Sequence, residues 1–373
     1  MPESRSKSVL IAMSGGVDSS VAAYIMKSEG YYCEGVTMRL YRENEKDSAA
    51  SGACDKASGT GSEPSGTDDA GKVAARLGIP YTVLDLETEF RKNIIDKFIR
   101  VYEAGGTPNP CVDCNRYMKF GLLLKAADEK GLQCVATGHY ARIEYDAARG
   151  LYLLKKAANP EKDQSYVLYT LKQEQLARIR FPLGEISKEE TRRIAAEQGF
   201  VNADRRESQD ICFIPDGDYV GFMERYTGRS YPGGDFIDRE GNVVGRHKGS
   251  VRYTIGQRKG IGISFNEPVY VTARDAARNT VTLGRESELF KKGLLAEDVN
   301  WIVPPDKDAI EVTARTRYRQ AEKRGIAYPL DGGRLKLVFE EPQRAVTAGQ
   351  AVVLYDGDVV LGGGTITGAI DDI

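Results

Sequence analysis

One stretch constrains the fold more than any other: "SVLIAM" from Ser8 to Met13, then "SGGVDSS", then "VAAYIMKSEG". A short apolar run that passes through a glycine pair into apolar residues at helical spacing reads as strand, tight loop and a helix ending at Gly30. The alternation continues. "GVTMRLY" (Gly35 to Tyr41) reads as a second strand, and "DAGKVAARLGIPYTVLDL" (Asp69 to Leu86) as helix, turn and third strand. "CVATGHYARI" (Cys134 to Ile143) supplies another strand and its C-terminal loop. Strands alternating with helices predict an α/β domain built on a parallel sheet. Residues 42–67 interrupt the pattern: they are rich in Ser, Gly and charge and nearly lack large apolar side chains, so they read as a flexible surface insertion with Cys54 as a bystander.

A chain of 373 residues exceeds what one core usually holds. After "ESQDICFIP" (Glu207 to Pro215) the pattern changes to Gly- and Tyr-rich segments with short strands such as "PVYVTARDAARNTVTLG". From about Leu295, "VTARTRYR" and "RLKLVFEEPQRAVTAGQAVVLYDGDVVLGGGTI" alternate apolar and polar residues between turns, as a β-barrel or a small sandwich would. The division is therefore 1–215, 216–285 and 286–373. No apolar run approaches the roughly 18 residues of a membrane span, and the opening "MPESRSKSVLIAM" is too quickly broken for a secretory signal, so a cytoplasmic protein with no membrane partner is expected.

Three groups of residues carry chemistry. "SGGVDSS" (Ser14 to Ser20), between strand and helix, can turn backbone amides, a helix N-terminus and three hydroxyls towards an anion, yet it is neither G-x-x-x-x-G-K-[ST] nor G-x-G-x-x-G. Cys111 and Cys114 in "TPNPCVDCNRYMKF" are the only close pair among six cysteines. The spacing alone leaves zinc, a redox disulfide, a cluster and a nucleophile open. Two basic runs form the third group: "DREGNVVGRHKGSVRYTIGQRKG", with Arg239, Arg246, Lys248, Arg252, Arg258 and Lys259, and "RTRYRQAEKR", with Arg315, Arg317, Arg319, Lys323 and Arg324. Interleaved with Tyr253 and Tyr318, they suit phosphate contact and base stacking, although such runs are usually only solvated faces. With only His139 and His247, a histidine-rich metal site or a Ser-His triad is disfavoured, while Cys33 and Cys134 sit in apolar strands as core residues.

Strand, SGGxDSS and helix together resemble the phosphate loop of ATP pyrophosphatases. "TPNPCVDCNRYMKFG", "ATGHYAR", "KDQSYVLY", "ESQDICFIP", "YTIGQRKGIGI", "RYRQ" and "AVTAGQAVVLYDGDVVLGGGTI", in that order along nearly the whole chain, resemble the bacterial tRNA-uridine 2-sulfurtransferases. The fold the resemblance implies is a parallel-sheet, adenine-nucleotide hydrolase-like α/β domain, a small central domain and a C-terminal β-barrel. The implied reaction is ATP-dependent 2-thiolation of the wobble uridine (position 34) of tRNA: the C2 oxygen is adenylated, because a carbonyl oxygen leaves poorly and AMP leaves well, and sulfur from a cysteine persulfide replaces it.

The resemblance also implies roles. Cys212 carries the persulfide, and Cys114 attacks it to leave a Cys114–Cys212 disulfide. ATP and Mg²⁺ are the cofactors, with Ala12, Met13, Ser14, Gly15, Gly16, Val17, Asp18 and Ser19 around the phosphates, Asp18 on magnesium-pyrophosphate, and the Met38 and Gly138 backbones on the adenine side. His139, Asp163, Gln164, Ser165, Arg317, Tyr318 and Gln350 fall at tRNA-contacting positions, with the anticodon stem-loop as partner. A sulfur donor or relay protein is the second partner. Where the family places an aspartate that assists proton transfer, this chain has Cys111, and the nearest carboxylate is Asp113; a thiol and a carboxylate differ by about four pKa units. An alternative route uses Cys111, Cys114 and Cys212 as ligands of a [4Fe-4S] cluster. An ammonia-using ATP pyrophosphatase shares the loop but has no use for the cysteines or the basic runs. An RNA-binding protein with a degenerate nucleotide site is the non-enzymatic alternative.

Overall fold

The computed structural model describes residues 7–41, 65–203, 211–263 and 265–371. The described chain forms two compact units. The first comprises Met1–Ile94, Cys111–Gln209 and Asp358–Val360, and the second Ile95–Pro110, Asp210–Gly357 and Leu361–Ile373. Most of the insertion expected at 42–67, with Cys54, lies outside the described residues, and a helix already runs from Ser65 to Leu77.

The first unit holds β1 (Ser8–Ala12), α1 (Val17–Ser28), β2 (Tyr32–Arg39), α2 (Ser65–Leu77), β3 (Tyr81–Asp85), β4 (Cys134–Ala136), the hairpin β5 (Arg142–Asp146) and β6 (Leu151–Lys155), and β7 (Ile179–Arg180). Its main sheet has the order β3-β2-β1-β4-β7, and every neighbouring pair is parallel. β1 is central, and its apolar run is buried on both faces as a central parallel strand requires. Val9 and Ile11 face a core with Val21 of α1 and Val73 of α2, while Leu10 faces Leu123, Leu124 and Val135 on the other side. Cys33 and Cys134 both pair with Val9 and are buried in the first of these cores, in keeping with their reading as core residues. β2 begins three residues before the expected Gly35, because Tyr32 and Cys33 already pair with Ser8 and Val9.

Successive strands run outward from β1 through β2 to β3, and β4 lies on the opposite side of β1. The order therefore reverses between β1 and β4, where open α/β sheets bind ligands at the carboxyl ends of their strands. The loops after β1 and β4 are "SGG" and "TGH".

In the second unit, α3 (Asp96–Glu103) packs with α4 (Tyr219–Thr227), and Phe98 and Tyr102 contact Phe213 and Tyr219. These aromatics tie residues 95–110 to this unit, although their sequence neighbours belong to the first. Strands β8 (Gly234–Ile237), β9 (Val243–His247), β10 (Tyr270–Asp275) and β11 (Thr280–Gly284) form a four-stranded sheet around Phe236, Val271 and Val281. Six strands follow: β12 (Phe290–Trp301), β13 (Ile310–Arg315), β14 (Lys323–Leu330), β15 (Arg334–Arg344), β16 (Ala351–Asp356) and β17 (Val359–Ile370). β12 pairs with both β15 and β17 and closes a barrel, as the resemblance implies and as one of the two readings of the alternating pattern. Among the described residues no helix is long and apolar enough to cross a membrane.

Candidate active site

The loop after β1 is wired by short polar side chains. The Ser14 amide donates to Ser19 Oγ at 3.1 Å, and the Ser19 and Ser20 hydroxyls donate to the Gly16 carbonyl at 3.0 and 3.1 Å. Gly15 takes a φ of 76°, the left-handed region that favours glycine. The first residues of α1 leave amides without intrahelical acceptors, so the loop presents donors and a partial positive charge to an anion. Gly138, after β4, lies so close that a Cβ there would stand 2.8 Å from the Asp18 carbonyl carbon and the Ser19 nitrogen. The sequence-predicted residues Ala12 to Ser19 are thus gathered with Gly138. Met38 is the penultimate residue of the neighbouring β2 and is half-buried.

Asp18 faces a network that sequence reasoning missed. Its Oδ1 accepts from Lys188 Nζ at 2.6 Å and from the Tyr140 hydroxyl at 2.9 Å, and that hydroxyl lies 3.0 Å from Thr191 Oγ1. Lys188 is almost wholly buried and opens α5, defined here as the α-helix Lys188–Glu197, whose N-cap Ser187 accepts from the Glu190 amide. The "SKEE" pattern marks a helix start, but nothing in it points to a carboxylate 170 residues away. The second Asp18 oxygen can ligate a magnesium ion, and the α1 amides and the Lys188 ammonium can donate to phosphate oxygens, so the group fits magnesium-bound phosphates.

Cys111 and Cys114 lie where the helical turn Pro110–Asp113 passes into a π-helix, Cys114–Leu122. Such widened turns are rare and recur at functional sites. Cys111 is exposed and Cys114 half-buried, yet crowding around both sulfurs pushes both thiols up, while the Lys119 ammonium pulls them the other way. Asn115 anchors the π-helix by donating to the Val167 carbonyl at 2.9 Å. Cys212, exposed, lies in the second unit. Among the described residues no group of three or more His, Cys, Asp or Glu is gathered as a metal ion would need.

His139 is buried between Phe120 and Phe181, with Nδ1 2.7 Å from Thr137 Oγ1 and Nε2 3.4 Å from Lys119 Nζ. Burial, and then the Lys119 charge, hold it well below the usual histidine range. An ammonium only donates, so Nε2 accepts and the proton sits on Nδ1. Asp163 accepts from the Ala157 and Ser165 amides and the Ser165 hydroxyl, and both side chains are buried; Gln164, which accepts from the Tyr140 amide, keeps some exposed surface.

In the second unit, Arg317 donates to the Ile255 and Ala345 carbonyls and to Thr347 Oγ1 at 3.1–3.3 Å. The Gln350 amide donates to the Thr107 and Pro108 carbonyls at 3.0 and 3.2 Å. Tyr318 is exposed, whereas Tyr253 is buried beside Phe236, which removes it from the stacking surface expected of it. The basic runs divide as well. Arg246 pairs with Asp235, Arg252 with Glu224 and Arg315 with Glu322. Arg239, Lys248, Arg258, Lys259 and Arg324 are exposed on the solvent side.

Comparison with known proteins agrees with this geometry. Three family models match: a tRNA methyl transferase HUP domain over residues 7–216, a tRNA methyl transferase PRC-barrel domain over 220–285 and an aminomethyltransferase β-barrel domain over 291–366. Full-length relatives have a more specific name. The chain is 45% identical over 363 residues to a tRNA-specific 2-thiouridylase of Acetivibrio thermocellus, covering 96% of this chain and 99% of that protein. It is 47% identical to that of Geotalea uraniireducens (98% and 96%) and 48% to that of Pelobacter propionicus (97% and 98%). With the parallel sheet, its phosphate loop and the thiol helix in one unit, and identity of this order running end to end, the chain belongs to the tRNA-specific 2-thiouridylase family.

Proposed function

We propose that the protein replaces the C2 oxygen of the wobble uridine of tRNA with sulfur at the expense of ATP. The observation that carries this reading is the α1 phosphate loop at the switch point of a sheet whose unit also carries the Cys111–Cys114 helix. The amides of Gly16 and the first turn of α1 bind the ATP phosphates, with Met38 and Gly138 on the adenine side. Asp18 and Lys188 are the residues that would hold Mg²⁺ and phosphate; the metal, when bound, neutralises charge on the phosphates and orients them. The uridine C2 oxygen attacks the α-phosphorus and pyrophosphate leaves, so the oxygen departs later within AMP.

Sulfur arrives on Cys212 as a persulfide from a donor or relay protein. The Cys114 thiolate attacks the Cys212 sulfur, a Cys114–Cys212 disulfide forms and hydrosulfide leaves. Hydrosulfide attacks C2 and expels AMP, and two equivalents of an external thiol, themselves oxidised to a disulfide, return two electrons to the Cys114–Cys212 disulfide before the next turnover. Cys111, exposed beside Cys114, takes no part in this sequence.

The second unit binds the anticodon stem-loop. Arg258, Lys259 and Arg324 contact phosphates and Tyr318 stacks on a splayed base. Arg317 and Gln350, bonded to main-chain carbonyls, shape that surface from within. With its substrate a tRNA, the protein works in the cytoplasm. The test is mass spectrometry of tRNA nucleosides after incubation with ATP and a sulfide or persulfide source: 2-thiouridine at the wobble position supports the reading, and its absence with intact enzyme and substrate tRNA overturns it.

A further inference from the structure

Asn202 lies beyond the far end of α5. That helix ends in a Schellman turn: the Gly199 amide donates to the Ala196 carbonyl and the Phe200 amide to Ala195, with Gly199 at a φ of 60°. The turn and buried Phe200 send the chain back towards β1, and Asn202 ends 3% exposed against the phosphate loop. Its Nδ2 donates to the Gly15 carbonyl at 2.9 Å and to Ser20 Oγ at 3.0 Å, and Ser20 in turn donates to the Gly16 carbonyl. Both glycine carbonyls are thereby tied off on the inner side of the loop.

A trans peptide is planar, so its N–H points opposite to its C=O. Fixing the Gly15 and Gly16 carbonyls inward aims the Gly16 and Val17 amides outward. The Gly16 amide has only a long 3.4 Å contact to Ser14 Oγ, and the Val17 amide, at the first position of α1, has no intrahelical acceptor. The Asn202 Oδ1 is buried with no hydrogen-bond partner. A buried acceptor left unpaired is costly, and a residue serving only to fill space would not need to be an amide. The side chain is oriented for its two donors, and both act on the phosphate loop.

We propose that Asn202 is a positioning residue for ATP: by holding the Gly15 carbonyl and Ser20, it turns the Gly16 and Val17 amides towards the phosphates. This rests on the reading that the loop binds ATP. Asn202→Asp keeps the shape but sets a carboxylate against the Gly15 carbonyl, and Asn202→Ala removes both donors without adding charge. The measurement is the Kd for Mg²⁺-ATP without tRNA, and the KM for ATP with tRNA saturating, on the full chain. Losing two hydrogen bonds predicts a rise of about tenfold or more in both constants for Asp and about fivefold for Ala, with tRNA affinity unchanged. Asn202→Thr, which keeps one donor, restores most of the affinity. Unchanged Kd and KM in the Ala variant overturn the proposal, whether or not the Asp variant folds. If the wild-type chain itself does not bind Mg²⁺-ATP, the reading of the loop fails instead.

Discussion

The phosphate loop and the thiol helix share one unit, but they are built in opposite ways. Every carbonyl and carboxylate that shapes the loop is held by a named side chain: Ser19 and Ser20 on Gly16, Asn202 on Gly15, Lys188 and Tyr140 on Asp18. The thiol helix is wound as a π-helix, leaves Cys111 exposed, and keeps both thiols up by crowding, with Lys119 alone pulling down. The lesson is that the loop after β1 is preorganised by its own side chains, as electrostatic stabilisation of an anion favours. Around the thiols, by contrast, crowding favours the protonated sulfurs.

Substitutions can break or sharpen this contrast. Cys114→Ser should have the largest effect, lowering thiolation by about 10³-fold or more while ATP and tRNA binding stay near wild type, because it removes a reacting atom and no part of the loop. Thiolation that survives it would remove the contrast altogether. Gly138→Ala strikes the other half: its Cβ would collide with Asp18 and Ser19, so kcat/KM for ATP should fall about 100-fold while Cys114 remains as reactive to iodoacetamide as before. Lys188→Met should lower kcat/KM for ATP about tenfold to 100-fold. Asp18→Asn should in addition lower the unfolding free energy by about 2–3 kcal/mol, since it strands the buried Lys188 ammonium. Equal stability losses in the two variants would mean that the pair is not organised as described.

The smallest effect is on stability and pH. His139 is held neutral in the folded protein, so below its unfolded value of about 6.5 the unfolded chain takes up a proton that the folded chain refuses. Stability is then fully present above pH 6.5 and falls as pH drops through it, at up to about 1.4 kcal/mol per pH unit from this group. His139→Gln should flatten that part of a denaturation series between pH 6.5 and 5. An unchanged slope would remove His139 from the wiring around Lys119.

How far the sequence could be read depends on how local each signal is. "SVLIAM-SGGVDSS-VAAYIMKSEG" encodes strand, loop and helix within 23 residues, and β1 and α1 lie where the apolar spacing puts them. The C-terminal strands follow from period-two alternation, whereas their closure into a barrel rests on the β12–β17 pairing, which alternation alone does not distinguish from a sandwich. The partners of the loop were not readable: Lys188 and Asn202 reach it from 170 and 187 residues away, and a lone Lys or Asn has no pattern of its own. The π-helix after Cys114 has no periodicity distinct from that of an α-helix in so short a span. Tyr253 reads as a base-stacking residue and is buried, because residue type does not reveal which side of a loop faces the core. Residues 95–110 group by their contacts with the second compact unit, where Phe98 and Tyr102 pack with Phe213 and Tyr219, a long-range association that no local pattern encodes.

The central claim is that adenylation is complete without the sulfur chemistry. It is tested most directly by quenched-flow measurement of pyrophosphate release by Cys114→Ser with substrate tRNA and ATP. The account predicts a burst of about one pyrophosphate per enzyme-bound tRNA, at the wild-type rate and with no 2-thiouridine formed. No burst, with ATP and tRNA both bound, would contradict it and make the thiol helix part of the adenylation site.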